Sequence, residues 1–264
     1  MLNPEQIEAK LDRILLKVQK PGRYVGGELN STVKEWDKSR TKVAFVFPDI
    51  YDIGVSNVGL KILYDQINQR EDALAERAYA PWVDMEALMR EHQIPLYALE
   101  SKQPLACFDL IGFSLPYETL YTNAINALDL AGIPIRSIDR NETHPIIIAG
   151  GHSATNPEPM HAFIDAFVIG EGEEVIHDII NTIQAFKRLN VETYKRYDLL
   201  VALAKIPGVY VPRFYETSYL EDGTVACTQP TIPEAPKVVN KRIVGKLPPP
   251  PVKFIVPNIE VVHN

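Results

Sequence analysis

Apolar residues in this chain come as short unbroken runs separated by amphipathic stretches, and that alternation predicts the architecture. Lys42 to Arg70 shows the unit. Val43-Ala44-Phe45-Val46-Phe47 has the length and β-branched and aromatic content of a buried strand. An acidic, glycine-bearing turn follows (Pro48-Asp49-Ile50-Tyr51-Asp52-Ile53-Gly54), and Ser56 is placed to cap a helix with Val58, Ile62, Leu63 and Ile67 on one face. Before this unit, Asn3-Pro4-Glu5-Gln6 reads as a capped helix start, and Ile7, Leu11, Ile14, Leu15 and Val18 form a stripe that ends at Pro21. Residues 20–41 read as an irregular arm that turns at Gly26-Gly27 and packs Tyr24 and Trp36.

The unit then repeats. Strands are predicted at Glu76–Ala80, Asp109–Ser114, Pro145–Ala149 and Ala166–Ile169, with an edge strand at Pro95–Leu99. Helices are predicted from Asp84, as cap, to about His92, from Tyr117 to Ala131 with Gly132 beyond its end, from Glu173 to Leu189, and from Tyr194 to Lys205. Strands apolar throughout and separated by helices make a parallel sheet covered on both faces. The expected fold class is therefore α/β: a flavodoxin-like, doubly wound parallel sheet of about five strands. Past Pro207-Gly208 the pattern changes. Val209–Val211 and Phe214–Tyr219 read as strands, with Asp222-Gly223 turning a hairpin towards Val225-Ala226-Cys227. Prolines then cluster from Thr228 onward, including Pro248–Pro251, as in an extended connection, and Val261–Asn264 reads as the start of another strand, as if the chain were truncated there. The expected division is 1–41, N-terminal helix and arm; 42–190, α/β domain; 191–227, helix and hairpin extension; and 228–264, proline-rich linker.

Composition narrows the function without naming it. Hydrophobic content of 46% and charged content of 23% are those of an ordinary globular chain, and no apolar run is long enough to cross a bilayer. A formal charge of −7 excludes a general nucleic-acid surface. Cys107 and Cys227, the only two cysteines, make neither a disulfide framework nor an iron–sulfur site, and a cytoplasmic location is expected.

Parallel strands gather their carboxyl ends on one edge, so the turns at 48–56, 114–118, 150–157 and 170–174 are expected to meet there as the rim of a ligand crevice. Glycines at 54, 150, 151, 170 and 172 permit positive φ or close approach. Asp49, Asp52, Glu171, Glu173 and Glu174 repel phosphate, which disfavours a flavin nucleotide, and no G-x-G-x-x-G follows the first strand. His152 either faces the crevice, as axial ligand or proton relay, or caps the next turn. Ser114 has no histidine–acid arrangement around it in sequence.

Asp49-x-Tyr51-x-x-Gly54, Ser114-Leu115, Gly150-Gly151 and Gly170-Glu171-Gly172-Glu173 resemble the loop set of the cobalamin-binding domain fused to radical S-adenosylmethionine (radical SAM) enzymes. Lys20-Pro21-x-Arg23-Tyr24, Ala80-Pro81-Trp82-x-Asp84-Met85-Glu86 and Asn156-Pro157-Glu158-Pro159 extend the resemblance over nearly the whole chain. The resemblance implies cobalamin as cofactor, with Asp49, Tyr51, Gly54, Ser114, Leu115, Gly150, Gly151, His152, Gly170, Glu171 and Gly172 around it. It also implies a partner: a radical SAM barrel, in cis after Asn264 or on a separate chain, that holds the [4Fe-4S] cluster and S-adenosylmethionine.

This chain departs from the pattern twice. Tyr51 stands where related cobalamin domains carry the histidine that ligates cobalt from below, and a neutral phenol is a poor replacement, so no protein nitrogen on cobalt is expected from this loop and Tyr51 would pack under the ring. The C-x-x-x-C-x-x-C cluster motif is absent, so the chain is not expected to be catalytic alone. Two roles follow: an accessory domain that presents a corrinoid to the catalytic barrel, or a scaffold of the same fold that binds no cofactor and docks a domain or partner.

Overall fold

The computed structural model describes residues 2–189, 195–246, 249 and 253–256. Its main sheet holds β1 (Thr41–Phe47), β2 (Ala73–Tyr79), β3 (Leu110–Ser114), β4 (Ile146–Gly150), β5 (Ala166–Val168) and β6 (Val209–Tyr210). The spatial order is β2-β1-β3-β4-β5-β6. The first five strands pair parallel in the flavodoxin-like order, and β6 adds an antiparallel edge through Phe167–Tyr210 and Val168–Val209. The expected class is observed, with one strand more in the sheet. Val209 is 1% exposed because it closes the β5 edge rather than joining the hairpin.

Helices cover both faces. On one lie α3 (Val58–Asn68), α6 (Gly172–Lys187) and α7 (Arg196–Ala204), and α6 packs between the other two. On the other, α1 (Pro4–Ile14), α4 (Val83–Glu91) and α5 (Tyr121–Leu130) are tied in sequence: Lys10 donates to the His92 carbonyl, and Arg90 pairs with Asp129. The Asn3–Gln6 capping box forms as expected, and Ile7, Leu11 and Ile14 bury the predicted stripe of α1. Each such side chain taken out of water contributes roughly 1.5–3 kcal/mol. In α6, Val175, Ile176, Ile179, Ile180 and Ile183 do the same. No helix among the described residues is long and apolar enough to cross a membrane.

Several local expectations are corrected. The first loop is not one open turn: residues 51–54 form the short helix α2 (Tyr51–Gly54), and α3 is capped by Asn57, whose side chain accepts from Leu60 N, while Ser56 donates to the Ile53 carbonyl. That start turns Leu60, Tyr64 and Ile67 inward and leaves Val58 exposed. Asp84 does not cap α4; Trp82 holds that position, and the Asp84 carboxylate accepts from Gln19 N. Pro95–Leu99 is not a sheet strand. It makes one bridge, Tyr97 to Pro104, and its amides go instead to the Leu130, Gln103 and Arg77 carbonyls, which satisfies a buried backbone without a ladder. The hairpin is present as β7 (Tyr215–Tyr219) and β8 (Val225–Pro230). Tyr194, three prolines of the 248–251 run and Val261–Asn264 lie outside the described residues.

Candidate functional site

A row of side chains across the sheet creates a cavity by omission. The register sets Phe45 beside Gly112 and Gly112 beside Ile148, so the middle strand contributes no side chain between a ring and an isoleucine. A Cβ on Gly112 would stand 3.1 Å from the Phe45 ring, so the glycine also lets that ring lie across β3. Two residues nearer the carboxyl edge, Ser114 pairs with Gly150, again small beside small. Leu60 and Leu63 of α3 and Val175 and Ile176 of α6 close the sides, leaving a mostly apolar cavity of about 230 Å³.

Six of the eleven expected site residues line it: Ser114, Gly150, Gly151, Gly170, Glu171 and Gly172. Gly151 (φ 109°) and Gly170 (φ 108°) have the positive φ expected of turn glycines. A Cβ on Gly151 would strike the Leu115 backbone. That close approach joins two loops, since Leu115 N donates to the Gly150 carbonyl at 2.7 Å and Ser153 N to the Leu115 carbonyl at 3.0 Å. Leu115 thus supports the rim from behind. The hydroxyl of Ser114 has no protein partner among the described residues, and Glu171 and Glu173 also belong to the lining, at the N-terminus of α6, which favours carboxylates.

The other expected residues face elsewhere. His152 is exposed beside the rim, outside the cavity lining, at the start of a 3-10 turn in which its carbonyl accepts from Thr155. Asp49 accepts from Ile50 N, and its carbonyl takes Ala80 N. Gly54 lies where a Cβ would press into the Tyr79 ring. Tyr51 packs edge-on against Tyr79, ring centres 5.2 Å apart, and donates to Glu28 at 3.1 Å.

The N-terminal arm explains that orientation. Lys20 and Arg23 both pair with Asp52, Tyr24 accepts from Trp82 N, and Glu28 reaches Arg77 with both oxygens. Arg77, with no exposed side-chain surface, also binds Glu100 at 2.7 Å and faces the Tyr64 ring. Burial penalises the Arg77 charge, yet Glu100 and Glu28 together hold its pKa above the ordinary value. Burial likewise works against the Glu28 carboxylate, and the hydrogen bonds from Arg77 reverse the balance and lower its pKa. Burial, then the Glu28 charge, push the Tyr51 phenol upward, so it stays protonated. The side chains of Tyr51 and Asp52 are thereby committed to the arm.

Loop reasoning missed Phe45 and Gly112, which shape the cavity, and Arg77, which anchors the arm. Their signals were present: a glycine inside the apolar run Leu110–Phe113, and the charged pair Glu76-Arg77 inside an otherwise apolar strand. Among the described residues no group of His, Cys, Asp or Glu is arranged to hold a metal ion.

Comparison with known proteins gives three findings. A family model described as "Radical SAM proteins, N-terminal" matches residues 59–212. An uncharacterized protein of Methanocaldococcus jannaschii, MJ0966, is 26% identical over 142 residues, 53% of this chain and 26% of that protein. Among solved structures, the cobalamin-dependent S-adenosylmethionine radical enzyme OxsB, with aqua-cobalamin and S-adenosylmethionine bound, superposes on 83% of this chain and 27% of its own at 16% identity and a TM-score of 0.40. The matched stretch spans about a quarter of either protein.

Proposed function

The chain belongs to the family of N-terminal domains of radical SAM proteins, and from that premise we propose that it is an accessory domain that holds a corrinoid beside a catalytic radical SAM domain. The observation that carries this reading is the cavity opened by Gly112 between Phe45 and Ile148, with the small pair Ser114 and Gly150 at its exit. A cavity of about 230 Å³ is below the size that encloses a drug-sized ligand. It would admit only a small apolar part of a corrinoid, such as the dimethylbenzimidazole base of its nucleotide tail, and residues 114–115, 150–152 and 170–172 would hold the rest. When bound, a corrinoid supplies a methyl carrier or a one-electron relay.

The protein's own part in this role is to orient and to leave alone. The glycines at 150, 151, 170 and 172 bring backbone close to the guest, and the Ser114 hydroxyl is free to bond it. The Glu171 and Glu173 carboxylates disfavour a terminal phosphate dianion such as that of a flavin mononucleotide. Tyr51, tied to Glu28, would offer a bound corrinoid no ligand from the first loop. The boundaries at 41/42, 190/191 and 227/228 go with this role, the last part leading towards the catalytic domain.

Uptake of hydroxocobalamin tests the reading. The purified chain is expected to retain a corrin absorption spectrum through gel filtration. Gly150→Ile is expected to abolish retention while leaving the melting temperature nearly unchanged, because a Cβ at Gly150 meets only Val168 at 3.8 Å and the larger side chain enters the cavity. The commitment of Tyr51 and Asp52 to the arm favours a second reading, a scaffold without cofactor. Absence of any corrin spectrum in the unaltered chain at high ligand concentration would decide for it.

A further inference from the structure

The loop at residues 169–172 does two things at once. On its inner side Gly170, Glu171 and Gly172 line the cavity. On its outer side it receives the segment Arg242–Val244, far along the chain, through an isolated parallel bridge. Arg242 N donates to the Ile169 carbonyl at 2.8 Å, Glu171 N donates to the Arg242 carbonyl at 3.1 Å, and Gly170 bridges Arg242. The approach is close enough that a Cβ on Gly170 would collide with the Arg242 carbonyl, and one on Gly208 would stand 2.9 Å from the Arg242 Cβ. Two side chains complete the seat. The Arg242 guanidinium pairs with Glu174 and Asp178 of α6, and Val244 N donates to Glu171 Oε2 at 2.5 Å.

Glu171 is the hinge of this arrangement, since the residue lines the cavity and its carboxylate is held by an amide of the strap. We propose that the Arg242–Val244 strap sets the shape of the cavity, so that corrinoid binding and strap seating reinforce each other through Glu171. This rests on the corrinoid reading above and adds regulation to it. With the strap seated, three hydrogen bonds hold the cavity wall from behind, and the Glu171 carboxylate is oriented. With it displaced, the backbone of 169–171 loses its partners, and the Glu171 carboxylate loses the amide that orients it. A ligand that needs the ordered wall therefore stabilises the strap by the factor by which the strap stabilises the ligand. Because residues 240–246 lead from the hairpin towards the rest of the chain, cofactor occupancy is communicated along the linker.

The strap carries its own reporter, because trypsin cuts after Lys241, Arg242 and Lys246. Hydroxocobalamin is titrated into the unaltered chain, into Val244→Pro, which removes the amide that Glu171 accepts, and into Arg242→Ala, which keeps the backbone and removes the ion pairs. Neither residue lines the cavity. The expected result is that cobalamin slows cleavage at 241–246 in the unaltered chain, that Val244→Pro binds about tenfold more weakly, and that Arg242→Ala is weaker by a few-fold. Equal affinity in all three proteins, with cleavage indifferent to cobalamin, overturns the coupling and leaves the cofactor reading intact. No corrinoid uptake by the unaltered chain overturns both.

Discussion

The Tyr51 hydroxyl donates to Glu28 at 3.1 Å, and the same carboxylate oxygen accepts from Arg77 Nη1 at 3.0 Å. The first loop of the sheet is thereby fastened to the N-terminal arm beside Arg77, the buried cation of β2. Tyr51→Phe removes one donor from a carboxylate that keeps both Arg77 bonds. We expect a loss of about 1 kcal/mol or less in denaturant unfolding, and an unchanged corrin spectrum in the loaded protein. A spectral change on this substitution would place the phenol on or beside cobalt.

Arg77 is the member whose removal is expected to be costly. Arg77→Met leaves Glu28 and Glu100 facing each other in the interior with no cation between them. Breaking a buried pair from one side typically costs about 3–5 kcal/mol. Urea unfolding should show a loss of that order, and Glu100→Gln in the same background should recover part of it.

Glu76 gives the fold a pH dependence. It is buried, its hydrogen-bond partner among the described residues is Ser101 through backbone amide and hydroxyl, and it stands near Glu100. Burial is the first cause and the Glu100 charge adds to it, and together they raise its pKa to about 7 from an ordinary 4.5. The folded protein therefore holds this proton more tightly than the unfolded chain. The stability this lends is complete below about pH 4.5 and is lost as pH rises through about 7. Glu76→Gln should be near neutral at pH 5 and stabilising at pH 8, by at most about 3 kcal/mol. Melting temperatures of the two proteins across that range check it, and parallel curves would refute the assignment.

Gly112 tests the origin of the cavity. Gly112→Val places branched methyls in the row between Phe45 and Ile148, where a Cβ alone comes within 3.1 Å of the ring. Overpacking of this kind costs about 1–3 kcal/mol. The variant should remain folded by far-ultraviolet circular dichroism and lose corrinoid uptake. Retained uptake would mean that the guest never enters this space.

Sequence alone fixed whatever depends on period and on local chemistry. Unbroken apolar runs between amphipathic stretches can be satisfied only by a sheet buried on both faces, which is why β1 to β5 and the stripes of α1 and α6 were legible from Val43–Phe47, Ile7–Ile14 and Val175–Ile183. The turn glycines were legible for the same reason, since positive φ at Gly151 and Gly170 is a property of single residues. Only the tertiary structure decided which loop residues share a space. The cavity at Gly112 depends on the register of three strands, and the withdrawal of Tyr51 and Asp52 depends on Lys20, Arg23 and Glu28, which are 23–32 residues away in sequence. Neither register nor a long-range ion pair leaves a periodic trace in the chain. The loops were therefore readable one at a time, while the division of the rim into an open half at Gly150 and a half closed by the arm became visible only once the strands were side by side.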